Sequence, residues 1–560
     1  MIEALSLSTN IGFKSNYIEN NYLPGMKKLF LDYLDGKGPA MDYYRYNFNK
    51  TSDYQKLAEK LQIRDFPRQK VADILWKQNS ELGCTDKIKN NIDKFADSRS
   101  VAVIAGQQVG IFGGPLYTYY KAAGVIKLAE KLSKDLACPV VPMFWMATED
   151  HDYKEANTAN VVNRQMEPAE IYNEPHDGQL GRSMSQITFG DSIEDAVDEL
   201  RECLIETEFS EPLFNLLRDF YKPGEKISTA FGRWMTSMFC GYGMVLVDPS
   251  DRQFKELAMP VYEKEIKRLS DDNAPDESSN DDRLLRDGYH LQVQKFKKGL
   301  NLFYSDPFRK RILFDDDKNK FAFEDSECEL TSADLLKLLR DDPVKFSSGA
   351  LLRPLVQSKL IPTVTFLAGP AEISYHAQLE PFFDYFDVEP PVIRPRPSAS
   401  LVGKRVNKVL DRYDIDLREL FQNHHDVISN VMLKHFPADL NGRLDHLQAV
   451  VLDLLNSVEP ALENFDEGLK RTFETSTNRI DAELNKLKGK IFQAHKKKNS
   501  EITDQIIRAY DSFFPGGVMQ ERVLPMIYFL NKYSPAFANS LYEELDIDNF
   551  KHQIIHIIPK

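Results

Sequence analysis

The stretch Val101-Ala102-Val103-Ile104-Ala105-Gly106-Gln107-Gln108-Val109-Gly110-Ile111-Phe112-Gly113-Gly114-Pro115-Leu116-Tyr117-Thr118-Tyr119-Tyr120-Lys121 decides the fold class. Its opening apolar run reads as a strand, the glycines as a tight turn, and Pro115 suits the first turn of a helix predicted to reach residue 133. Strand, turn and helix in that order open an α/β unit. Working outward, the pattern recurs. Pro139 to Ala147 is continuously apolar and ends in acids. Met244 to Val247 precedes Asp248-Pro249 and a helical pattern from Gln253 to Leu269. Pro362 to Ala368 ends at Gly369-Pro370 and leads into a helical stretch over 371–386, and Val392-Ile393-Arg394 makes a last short strand. Strands apolar throughout, alternating with helices, imply an α/β fold with a parallel sheet covered on both faces.

The long intervals between these strands require insertions, predicted at about 153–240 and 271–350, the second carrying a strand-like patch at Leu300 to Tyr304 and Arg311 to Phe314. Inserted subdomains on the rim of an open sheet commonly cover the site at the strand ends. The predicted organisation is a mainly helical N-terminal region (1–100), a core (101–403), an α-helical arm (404–515) and a C-terminal segment (516–560) that packs back on the core. In the first region Asp53 to Leu57 and Arg68 to Leu82 show helical spacing and no visible chemistry. In the arm, Leu462, Phe465, Leu469, Phe473, Ile480, Leu484, Leu487, Ile491 and Ala494 form a heptad-like seam. That stripe must be buried against 404–421 with 427–433, or against a second subunit, so a homodimer through the arm is expected. The run Lys496-Lys497-Lys498 reads as a solvated tip, with a phosphate or partner contact as the other reading.

Composition excludes several classes. The 560 residues are 42% hydrophobic and 28% charged, which fits a globular chain, and 71 basic against 85 acidic side chains give a net charge of −14. That balance argues against a nucleic-acid binder, which normally carries a basic stripe. No run of about 18 apolar residues suggests a membrane span and residues 1–30 lack a signal-peptide pattern, so a cytoplasmic protein is expected. Cys84, Cys138, Cys203, Cys240 and Cys328 are scattered, with no C-x-x-C pair; neither a disulfide framework nor a zinc or other structural metal site is predicted.

Three constellations carry candidate chemistry. Gly110, Gly113, Gly114 and Pro115 can form a phosphate or carboxylate cradle at a helix N-terminus, although their spacing matches neither standard nucleotide-binding glycine pattern and a ligand-free tight turn would look the same. Gln107, Gln108, Tyr117 and Lys121 flank this turn as candidate substrate contacts. Second, Thr148-Glu149-Asp150-His151-Asp152 follows a strand, where α/β sheets bind ligands. These residues can orient an amine, supply a general base through His151 or hold Mg²⁺ through carboxylates; an acidic cap on a neighbouring helix is the bland alternative. Third, Arg353 can clamp a carboxylate or pair with a structural acid. Glu372 and His376, at i and i+4, share a helix face and line a pocket, or cap a helix and fill a core. Arg394 and Arg396 add cations near the same sheet edge.

Taken together, AGQQVGIFGGPLYTYYK (105–121), PMFWMATEDHD (142–152), LLRPLVQ (351–357), LAGPAEISYHAQL (367–379) and FPGGVMQERVLPMIYFLNKY (514–533) resemble the BshC family of bacillithiol-biosynthesis cysteine-adding enzymes. The resemblance implies a Rossmann-like core related to class I aminoacyl-tRNA synthetases and nucleotidyltransferases, connecting insertions, and a coiled-coil arm used for dimerisation. It implies the joining of L-cysteine to the amino group of glucosaminyl malate, with ATP activating the cysteine carboxylate. On that reading Gly110, Gly113, Gly114 and Pro115 bind nucleotide; Glu149, Asp150 or Asp152 holds the cysteine ammonium; His151 accepts a proton from the attacking amine; and Arg353 or Arg394 binds the malate carboxylates. The chain departs from the synthetases: Gly113-Gly114-Pro115-Leu116 stands where they carry His-x-Gly-His, and no Lys-Met-Ser-Lys-Ser loop follows Arg394. Two other readings stay open, a nucleotidyltransferase acting on another small molecule and a non-catalytic scaffold with a coiled-coil arm.

Overall fold

A computed structural model describes residues 11–559 apart from 177, 272, 276, 295–298, 327, 422 and 423. The central sheet has five strands: β1 (Val101–Gln107), β2 (Val140–Met146), β3 (Val245–Val247), β4 (Thr363–Ala368) and β5 (Val392–Pro395). All pair in parallel, in the order β3-β2-β1-β4-β5. Their side chains are buried on both faces, which is why the strands appear in the sequence as unbroken apolar runs. The helix α1 (Leu116–Asp135) packs on β1 and β2. Later crossovers contribute α2 (Arg252–Arg268), α3 (Arg353–Leu360) and α4 (Pro370–His376).

Successive strands run outward from β1 through β2 to β3, and the chain then returns to lay β4 and β5 on the other side. The direction therefore reverses between β1 and β4, and open α/β sheets bind ligands outside the carboxyl ends of the strands at that point.

The predicted helix over 371–386 is two helices, α4 and Glu380–Tyr385. Pro381 explains the break, since it has no N–H to continue the first helix and suits the start of the next. The first insertion holds a hairpin of Thr158–Val162 with Pro168–Tyr172, and the second an antiparallel sheet that includes Gly299–Ser305, Arg309–Asp315 and Phe346–Ser348. The helices Thr51–Ile63, Arg68–Glu81 and Asp86–Phe95 share one hydrophobic core with the central sheet. At the far end of the chain, His552–Pro559 pairs antiparallel with Ile11–Ile18 and parallel with Ala399–Val402.

The chain divides into two compact units, one running to Val402 and resuming at Pro515–Lys560, the other Gly403–Phe514. Within the second, the seam read from the sequence is not one helix. Helix Ala438–Phe465 ends at Asp466, and a short turn leads into helix Lys470–Lys498. The two form an antiparallel hairpin in which Gln448 Nε2 donates to Asp481 at 2.6 Å and Lys488 pairs with Asp445. Leu462 and Phe465 therefore belong to the preceding helix, and the partner of 470–498 is 438–465, a segment the heptad count passed over. The lysine run lies at the end of Lys470–Lys498 away from the 466–469 turn, with Lys497 and Lys498 exposed, and Lys496 donates to Ser429 Oγ at 2.9 Å.

Candidate active site

A cleft of about 430 Å³ opens at the carboxyl end of β1. Gln107, Gln108, Gly110, Gly114, Pro115 and Tyr117 form one wall; Asp152, Lys154, Glu155 and Asn160 form a second; Arg522, Val523 and Pro525 come from the C-terminal segment. Gln107 donates to the Tyr117 hydroxyl at 3.1 Å, and Gln108 donates to the Asp152 carbonyl at 2.9 Å, tying the first two walls together. Asp152 caps the short helix Tyr153–Ala156 by accepting the Glu155 N–H at 3.1 Å. Burial against the cleft raises the Glu155 carboxyl above the usual range, and the neighbouring Asp152 and Asp150 charges push the same way.

The glycine turn does a different job from the one its composition suggests. Gly113 has φ of +85°, and a Cβ there would lie 2.2 Å from Trp234 Nε1, so only glycine fits against that indole. The Gly113 N–H donates to the Tyr221 hydroxyl at 3.1 Å, the Gly114 N–H to the Ile111 carbonyl at 3.1 Å and the Leu116 N–H to the Leu524 carbonyl at 2.8 Å. An N-terminal helix end binds an anion with unsatisfied amides. The Gly113, Gly114 and Leu116 amides are already paired and do not offer these N–H groups to a phosphate.

The Thr148–Asp152 segment separates into distinct environments. Thr148 donates to Asp248 at 2.6 Å. Glu149 is buried, accepts from the Ser348 hydroxyl at 3.1 Å and forms an ion pair with Lys255 of α2. Its carboxylate is thus committed inside the protein and is not placed to hold a substrate ammonium. Arg309, from the second insertion, donates to His151 Nδ1 at 2.9 Å and to the Ser348 carbonyl at 3.0 Å. A guanidinium has no acceptor, so in this contact Nδ1 is the accepting nitrogen. His151 is thus held by Arg309 and is not among the residues that line the cleft. Burial raises the Asp150 carboxyl, but the His151 backbone N–H, donating at 2.7 Å, and the Arg309 charge outweigh that and hold it below the usual range. Of this segment only Asp152 lines the cleft.

Beneath the β1 end, Lys121 is buried, with Nζ 2.7 Å from Glu372 Oε2, 2.8 Å from the Gly106 carbonyl and 3.1 Å from Gln107 Oε1. Glu372 also accepts the Gly369 N–H at 2.7 Å, capping α4. The pair clamps β1 to α4 across the switch point. Burial lowers the Lys121 pKa even though Glu372 opposes it. Arg353 donates to the Tyr375 hydroxyl at 2.5 Å and to Gln357 at 3.2 Å, with no carboxylate partner among the described residues. His376 is buried between Tyr375 and Phe366, its pKa well below the ordinary value because of burial and the Arg353 charge; it is a core histidine. Arg394 points away from the cleft, bonding the Phe48 and Ile547 carbonyls and Asp548. Neither malate-binding arginine expected from the sequence lines the cleft.

Sequence reasoning missed Arg309, Lys255 and Arg522, because each reaches its partners from a remote segment. Only the FPGGVMQERVLP stretch around Arg522 gave a signal, as a motif without an assigned role.

The fold and cleft define a Rossmann-like α/β protein with a charged cleft at the carboxyl end of β1 and a helical arm. The chain belongs to the BshC family: the model for the bacillithiol biosynthesis BshC N-terminal Rossmann-like domain matches residues 13–397, and that for its C-terminal coiled-coil domain matches 399–557. Relatives named "Putative cysteine ligase BshC" include one from Salinibacter ruber, 32% identical over 94% of this chain and 96% of its own length. Another, from Prosthecochloris aestuarii, is 29% identical over 92% and 94%. A solved structure titled as a putative arginyl-tRNA synthetase from Campylobacter jejuni aligns over 84% of this chain and 100% of its own, at 10% identity and a TM-score of 0.23, which carries no argument. No described helix is long and apolar enough to cross a membrane.

Proposed function

We propose that this protein joins L-cysteine through an amide to the amino group of glucosaminyl malate, with ATP activating the cysteine carboxylate. The observation that supports this most is family membership over both domains, by relatives whose name is that of a cysteine ligase. The cleft is consistent with it: Asp152 and Glu155 on one wall suit an amine, and Arg522 on another suits a carboxylate. The residues fit the nucleotide less well. The Gly113, Gly114 and Leu116 amides are taken, and among the described residues no three His, Cys, Asp or Glu side chains converge as a metal site. Mg²⁺ would therefore enter with the phosphates, as is usual for that ion. What this chain's residues supply is orientation: the Lys121–Glu372 clamp fixes the β1 end, and Gln107 and Tyr117 fix the cleft floor.

The test is a reconstituted reaction of purified protein with cysteine, glucosaminyl malate and ATP, followed by mass spectrometry. Formation of the cysteinyl amide that requires all three components is expected; a product formed without ATP would overturn the activation step, and no product would overturn the ligase assignment.

We further propose that the arm pairs with a second copy. Leu440, Leu447 and Leu454 repeat every seven residues along one helix of the hairpin and Ile480 and Leu487 along the other, yet all are exposed.

A further inference from the structure

The turn Gln520–Arg522 is fastened to the core with unusual completeness. Gln520 accepts the Leu401 N–H at 2.8 Å and donates to the Leu401 carbonyl at 3.0 Å, as a strand neighbour would. Glu521 is buried and accepts from Arg396 at 2.5 and 3.2 Å, from the Ser398 hydroxyl at 2.9 Å and from the Ala399 N–H at 3.1 Å. Arg396, itself buried, lies 5.4 Å from the Tyr117 ring centroid, and Arg522 lies 5.9 Å from the same ring.

Two of three consecutive side chains are thus anchors, and the third is exposed in the cleft. The Glu521 charge is consumed by Arg396, and Arg522 has no carboxylate partner among the described residues. A guanidinium held on a rigid turn at the wall of a cavity, in no ion pair among the described residues although its charge reaches Glu155, is preorganised for an anion. Across the cleft stand Asp152 and Glu155, so the site presents opposite charges to the two ends of one ligand.

We propose that Arg522 is the residue that binds the malyl carboxylates of the acceptor, orienting its amine toward Asp152 and Glu155. This rests on the ligase assignment for the identity of the acceptor, but the carboxylate site itself does not. Cysteine also carries a carboxylate, but that group is the one consumed in forming the amide. The malyl carboxylates survive the reaction, and they are the ones a fixed guanidinium can hold throughout.

The test is calorimetric titration of the full chain with L-malate and, separately, L-cysteine, for wild type, Arg522→Ala, Arg522→Lys and Arg353→Ala. Arg522 is exposed, and unchanged thermal unfolding would verify the fold of its variants. The expected result is that L-malate affinity falls at least tenfold in Arg522→Ala, falls less in Arg522→Lys, and is unchanged in Arg353→Ala, while cysteine affinity is unaffected. Malate binding that survives Arg522→Ala, that is lost in Arg353→Ala, or that is absent from wild type overturns the proposal, as does a loss confined to cysteine. If malate binding depends on Arg522 but no amide forms in the reconstituted reaction, the ligase assignment fails and the carboxylate site stands.

Discussion

Removing Glu372 from its buried partner should expose how much the switch-point clamp contributes. The Lys121 ammonium sits 2.7 Å from Glu372 Oε2, with side-chain exposures of 5% and 18%. Breaking a buried pair by deleting one partner costs about 3–5 kcal/mol because the other charge is left uncompensated. The partial exposure of Glu372 places Glu372→Gln near the lower end, about 3 kcal/mol. Lys121→Met removes the charge with its bonds to Gly106 and Gln107, and leaves Glu372 the Gly369 N–H and some solvent; about 2 kcal/mol is expected. The double variant contains no stranded charge, so it should lose about 3 kcal/mol instead of the additive 5, a coupling of about 2 kcal/mol. Urea unfolding followed by tryptophan fluorescence measures all three. The sign with pH is also fixed. Losing Glu372 drives the folded-state Lys121 pKa further below its unfolded value, so the unfolded state binds more protons in between and stability rises with pH. The Glu372→Gln penalty should therefore shrink as pH climbs from neutrality toward 10. Additivity within about 0.5 kcal/mol, or a penalty that grows with pH, would refute the clamp.

Three further outcomes follow from the geometry. His552 is fully buried between the Ser398 and Ser400 hydroxyls, and burial, joined by the Arg396 charge and opposed by Glu521, holds its pKa at about 4. Against an unfolded value of about 6.5, neutral His552 contributes up to about 3 kcal/mol above pH 6.5 that is lost as pH falls toward 4; His552→Gln should flatten that part of a urea-midpoint profile. Gly113→Ala should destabilise by about 3 kcal/mol or more, through a Cβ driven into Trp234 at a positive φ, and the thermal unfolding temperature should drop accordingly. Leu447→Glu with Leu454→Glu should convert a dimer to a monomer in light scattering while leaving helix content intact; a wild-type monomer would remove the dimer proposal.

Much of the fold was legible because a parallel sheet buried on both faces writes itself as unbroken apolar runs. The runs at 101, 140, 245, 363 and 392 all became strands of one sheet. The site was legible in location and misjudged in detail. Glycines at a strand-to-helix turn signal close backbone approach, but the sequence does not say what approaches; at Gly113 it is an indole and not a phosphate. Glu149, Asp150 and Asp152 look equivalent in a row of acids, and only one of them lines the cleft. Their fates depend on Lys255 and Arg309, which α2 and the second insertion bring in from more than a hundred residues away. The arm's seam was misread because heptad spacing runs on through the turn at 466–469, where the chain doubles back.

The sequence by itself determined the layer architecture and the family, since these follow from local apolar patterning and contiguous motifs. Only the tertiary structure decided which charges are spent and which are free. A charge's role depends on what lies within a few ångströms of it, and for Glu149, Arg394 and Arg522 those neighbours come from distant parts of the chain.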